Sequence, residues 1–107
     1  MNVAIAFRSD VVRQALEMVL RAAGHTIVAP ESAEVVICHE IGMILPHLQA
    51  GRTVVQFIMP GHDRPARGFL TAPEFADRFR IFGIVTLPEF GEVPALLAFL
   101  QECTKGG

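Results

Sequence analysis

The chain has 107 residues, 51% of them apolar, which supports one packed core and excludes a disordered chain. Its formal net charge is −2, and this balance excludes a general affinity for nucleic acid or anionic membrane, which needs a basic face.

The predicted elements alternate between strand and helix. "NVAIAF" (2–7) is an apolar run fit for a buried strand. In "SDVVRQALEMVLRAAG" (9–24) the period changes: Val12, Leu16, Val19 and Ala23 share one helical face, while Arg13, Glu17 and Arg21 are spaced by four on another. Ser9 or Asp10 can cap its start, and Gly24 suits the left-handed residue that ends it. "HTIVA" (25–29) is the second strand, stopped by Pro30, and "EVVICHE" (34–40) is the third. A short helix is predicted over 43–50, with Gly51 after it, and "TVVQFIM" (53–59) is the fourth strand. "PGHDRPARG" (60–68) is a loop by its Pro and Gly content. "TAPEFADRFR" (71–80) is predicted as a helix capped by Thr71, with Pro73 in its first turn and Phe75 and Phe79 one turn apart. "IFGIVTL" (81–87) is the fifth strand and "GEVPALLAFLQEC" (91–103) the last helix. Residues 1–103 form one domain, and 104–107 ("TKGG") a polar tail.

The strands are continuously apolar rather than alternating, which indicates a parallel sheet covered on both faces. Five strands in one small α/β domain fit the flavodoxin-like doubly wound order 2-1-3-4-5. Ligands in such sheets sit beyond the C-terminal ends of strands one and three. "FRSD" (7–10) and "CHEIGM" (38–43) therefore flank the expected crevice. No apolar run reaches the roughly 20 residues of a membrane span, and "MNVAIAF" is no signal peptide. Two cysteines, Cys38 and Cys103, make no disulfide framework, so the expected setting is a reduced cytoplasm.

"VVRQALEMVLRAAGHTIV" (11–28) resembles the first helix and second strand of receiver domains from two-component response regulators. "EVVICHEIGM" (34–43) is similar to their third strand and the loop after it, and "GIVTLPEF" (83–90) to their fifth strand with its turn proline at Pro88. The likeness covers most of the chain and departs from the family at residues 41–53, where the third helix is shortened. Atypical receivers also occur at the N-terminus of MinD-like ATPases of pilus assembly.

Receiver chemistry implies a phosphoacceptor Asp after strand three, two acidic Mg²⁺ ligands after strand one, a hydroxyl after strand four and a Lys after strand five. Carried over, the acidic pair falls on Phe7 and Arg8. The phosphoacceptor falls on Glu40 when "EIGM" is matched to the family's Asp-x-x-Met run, and on His39 when the strand is matched without a gap. The hydroxyl falls on Ile58 or Met59 and the lysine on Leu87. Eight of the nine basic residues are Arg and the one Lys is Lys105, so no small register shift restores a lysine.

The resemblance thus implies a degenerate phosphorylation pocket: a non-phosphorylatable pseudo-receiver, binding protein partners, with no catalysis, metal or cofactor. Arg8 is expected to pair with Glu40 across the two loops; Glu40 alternatively mimics a phosphorylated Asp or is a solvated carboxylate. A metal site on Cys38, His39, Glu40 and His47 fits no zinc spacing, and adjacent strand residues face opposite ways. Cys38 lacks the Cys-x₅-Arg pattern of a Cys phosphatase, since the residue at that offset is Ile44. The rival reading is a small flavodoxin-like enzyme or ligand-binding domain using the crevice near Arg8 and Glu40. Five Arg lie between Arg52 and Arg80, a solvated face or an anion-binding one. A homodimer or heteromer is expected through residues 71–103, the family's usual dimer surface, with Phe75, Phe79 and Phe90 as apolar contacts and Arg78 on the rim.

Overall fold

The structure, a computed structural model, describes residues 1–58, 64–83 and 93–106, with side chains through Cys103. Five strands form one all-parallel sheet: β1 (Asn2–Ala6), β2 (Thr26–Ile27), β3 (Val35–Cys38), β4 (Thr53–Ile58) and β5 (Phe79–Gly83). Their order is 2-1-3-4-5, the flavodoxin-like order. Among the described residues four α-helices accompany them: α1 (Asp10–Ala22), α2 (Ile44–Gln49), α3 (Gly68–Thr71) and α4 (Val93–Gly106). Among the described residues no helix is long and apolar enough to cross a membrane.

Alternation along each strand sorts side chains into two layers. Val3, Val35, Ile37, Val55 and Phe57 point to one face and pack with Leu16 and Leu20 of α1 and Leu96, Phe99 and Leu100 of α4. Cys38, Val54 and Phe79 point to the other and pack with Ile44 and Leu48 of α2 and Ala66. Between β2 and β3 the crossover carries only a 3-10 turn, Pro30–Ser32, over Ala4 and Val36. Small side chains there leave little volume for a helix to cover.

The helix ends follow local chemistry. Ser9 accepts from the Val12 N–H at the start of α1. At its end Gly24 has φ +93°, its N–H donates to the Arg21 carbonyl, and the His25 N–H donates to the Leu20 carbonyl. Gly51, φ +86°, closes α2 the same way, with Gly51 N–H on Leu48 and Arg52 N–H on His47. The helix expected over 43–50 is α2, six residues long, entered through a 3-10 turn at Ile41–Met43.

The helix expected over 71–80 does not form. The short α3 stops at Thr71 rather than starting there, and the Thr71 hydroxyl donates back to the Gly68 carbonyl. Ala72 precedes Pro73, which disfavours helical backbone, and it is extended at φ −74°, ψ 120°. Residues 72–78 make a compact turn, and β5 begins at Phe79, two residues earlier than expected. Phe79 and Ile81 then face one layer while Phe82 faces the other. Phe79 is fully buried and Phe75 half-buried, so the two do not make an exposed stripe. Nor is Arg78 a rim residue: its Nη1 donates to the carbonyls of Leu48 (3.0 Å) and Arg52 (2.9 Å), fastening the end of α2 to the start of β5. The 71–103 contact face therefore loses Phe79 and Arg78, and Phe90 lies outside the described residues. The stretch read as a tail also changes, because the α4 backbone continues to Gly106.

Arg78→Ala is expected to destabilise the fold by about 1.5–3 kcal/mol, the usual cost of removing charge-assisted hydrogen bonds from half-buried carbonyls. Urea unfolding checks it. A loss below about 0.5 kcal/mol would return Arg78 to the surface role first expected of it.

Candidate functional site

The sheet register builds the crevice. Ala6 of β1 pairs with Cys38 of β3, so the next residues leave the sheet side by side: Phe7 with His39, then Arg8 with Glu40. Phe7 and His39 meet edge to face, centroids 5.0 Å apart and planes at 76°. On its other side Phe7 stacks on Phe57, at 6.4 Å. The Arg8 backbone N–H donates to His39 Nε2 at 3.3 Å.

Arg8 and Glu40 form the expected ion pair. Arg8 Nε contacts Glu40 Oε1, and Arg8 Nη2 donates to Glu40 Oε2 at 3.4 Å. The guanidinium side chain is 81% exposed and the carboxylate side chain 33%, so water screens the pair. His39 Nε2 lies 3.8 Å from the same carboxylate. Beside the pair is a shallow depression of about 230 Å³ lined by Ile5, Ala6, Phe7, Arg8, Glu40 and Met43. It is smaller than the roughly 300–1,000 Å³ of ordinary small-molecule sites.

The remaining expected site residues divide. Ile58 ends β4, half-buried, with no hydroxyl to offer. Met59 and Leu87 lie outside the described residues. Cys38 is fully buried on the α2 side of the sheet while His39 stands with Phe7, so the two do not share a site. Burial, and then the Glu40 carboxylate, push the Cys38 thiol up to about 12. It remains a neutral thiol at physiological pH and has no nucleophilic character. His47 is half-buried beside Arg52, its Nδ1 3.4 Å from Arg52 Nη1; burial, and then that guanidinium, lower its pKa. Among the described residues no cluster of three or more His, Cys, Asp or Glu could hold a metal.

Gln56 is the residue that sequence reasoning missed. It sits mid-β4, opposite Cys38, and is the buried polar side chain of the described core. Its Nε2 donates to the carbonyls of His39 (3.0 Å) and Arg64 (2.9 Å), and its Oε1 accepts from the Ala66 N–H (2.8 Å). The amide thus ties the loop after β3 to the segment after β4. The signal in the sequence was one amide inside "TVVQFIM", since a buried amide must find partners.

Comparison with known protein families, curated proteins and solved structures finds no match for this chain.

Two outcomes are expected. Gln56→Leu removes hydrogen bonds to two carbonyls and from one N–H and should cost about 2–4 kcal/mol by urea unfolding; a loss under about 1 kcal/mol would mean that water replaces the amide. A double-mutant cycle over Arg8→Ala and Glu40→Ala should give a coupling of about 0.5–1 kcal/mol, as for an exposed two-point pair. A coupling of zero would leave the Glu40 carboxylate without a stable partner in solution.

Proposed function

We propose that the protein is a pseudo-receiver, a non-phosphorylatable regulatory module that acts by binding other proteins and not by catalysis. The observation that carries this reading is the Arg8–Glu40 ion pair at the switch point of the sheet. Phosphoryl transfer to a carboxylate needs a divalent cation held by neighbouring acids, because like charges otherwise repel the donor. On the receiver match a cationic side chain and an aromatic ring fall where those acids would be, and Arg8 pairs with Glu40. Glu40 carries one charge where a phosphoryl group carries nearly two, and the Arg8 contact cancels much of that one.

Two further features support the same reading. Phe7 lines the crevice with an apolar ring packed on Phe57 and His39, and such a ring cannot hold a cation as an acidic side chain would. The thiol at the end of β3 is buried and protonated, which removes it as an alternative nucleophile.

Incubation with acetyl phosphate and Mg²⁺ is the test, read by intact mass and by amide chemical shifts of residues 5–8 and 38–43. No phosphoryl gain and no Mg²⁺-dependent shift are expected. A gain of one phosphoryl group that disappears in Glu40→Ala or His39→Ala would overturn the proposal.

A further inference from the structure

Helix α1 presents a patterned face to solvent. Leu16 and Leu20 are fully buried against the sheet, which points Asp10, Val11, Gln14, Met18, Arg21 and Ala22 outward. Val11 is 78% and Met18 71% exposed, the most exposed large apolar side chains of the described residues. They are seven residues apart, two turns on one stripe, with Ala15 between them and Ala22 one turn further on. Along one edge of that stripe run Asp10 at the N-terminal end, Gln14 in the middle and Arg21 at the C-terminal end.

This pattern is its own complement. A two-fold axis perpendicular to α1 sets the same edge of two helices side by side with their directions reversed. Asp10 then faces Arg21 of the second copy, at both ends of the contact, and Val11 packs between Met18 and Ala22 of the second copy. A parallel arrangement would set Asp10 against Asp10 and Arg21 against Arg21. Both charges are exposed. The Asp10 side chain is 80% exposed and touches Arg13 at 3.3 Å, while Arg13 holds Glu17 at 3.0 Å with its other nitrogen. Arg21 is 61% exposed and reaches Glu17 only at 3.9 Å.

We infer that the outward face of α1 is a homodimer contact in which two copies pack this helix antiparallel. It uses a different surface from the crevice and does not depend on the crevice being inactive. One helix face covers on the order of 300–400 Å² per protomer, under half of the roughly 800 Å² per partner of a stable complex. The dimer is therefore weak and reversible, with a dissociation constant on the order of 100 µM.

Sedimentation equilibrium from about 10 µM to 1 mM at low salt spans that range. The unaltered protein should dimerise reversibly towards the upper end. Asp10→Arg and Arg21→Asp should each weaken association at least tenfold, because each sets like charges together at both ends. Their equimolar mixture should recover the unaltered affinity, because the mixed pair again sets opposite charges at both ends. That recovery also excludes misfolding as the cause of the single-variant losses. Met18→Lys should abolish association in either background. A protein monomeric throughout, variants that associate as the unaltered protein does, or a mixture that fails to recover would each overturn the inference.

Discussion

Strand β3 is buried on both faces, and everything at the C-terminal edge of the sheet depends on its pleat. Val35, Val36, Ile37 and Cys38 are each almost completely inaccessible, so their side chains must alternate between two closed layers. A slip of one residue would move Cys38 into the space of Phe7 and Phe57 and turn His39 towards α2. The pleat therefore fixes which of "CHE" enters the core and which reaches the crevice. Parallel pairing then transmits that choice to β1 on one side and to β4 on the other.

Gln56 completes the constraint from β4. A polar side chain on a doubly buried strand is tolerated only when its hydrogen bonds are made inside the protein. Its amide makes three, to backbone groups on both flanking loops. One side chain thus fixes the backbone on which His39 stands, and His39 in turn receives the Arg8 N–H. Because the Arg8–Glu40 pair is exposed, it adds little stability. Its consequence is electrostatic: the carboxylate at the switch point is matched by a cation of the same chain.

The sheet was legible because its signals are local and agree with one another. Apolar runs, a Ser cap and two glycines at positions of positive φ each marked an end or a layer, and the observed order followed. The segment 71–80 was misread because its signals conflict. Phe75 and Phe79 have helical spacing, yet Phe79 and Ile81 also have strand spacing, and β4 needs a parallel partner for its outer edge. Pro73 decided against the helix through the residue before it, Ala72. The ion pair of the crevice could be anticipated because parallel strand ends place Arg8 and Glu40 in adjacent loops. The Gln56 bridge could not, because its partners are backbone atoms, which carry no residue-specific signal.

The arginines illustrate the same limit. Five of them between Arg52 and Arg80 suggested either a solvated face or an anion site. Two are instead structural. Arg78 donates to the carbonyls at the end of α2, and Arg80 donates to the carbonyls of Ala76 and Phe79 while its guanidinium lies 5.1 Å from the centroid of Phe99. Residues 72–78 turn without a regular helix, so their carbonyls need donors from elsewhere. A guanidinium can serve two carbonyls from one rigid fork, and its stem and flat face pack on apolar surface as an ammonium does not. The cations remain formally present, yet two of those five face the protein rather than a partner. Charge counted from the sequence therefore overstates what this segment can offer an anion.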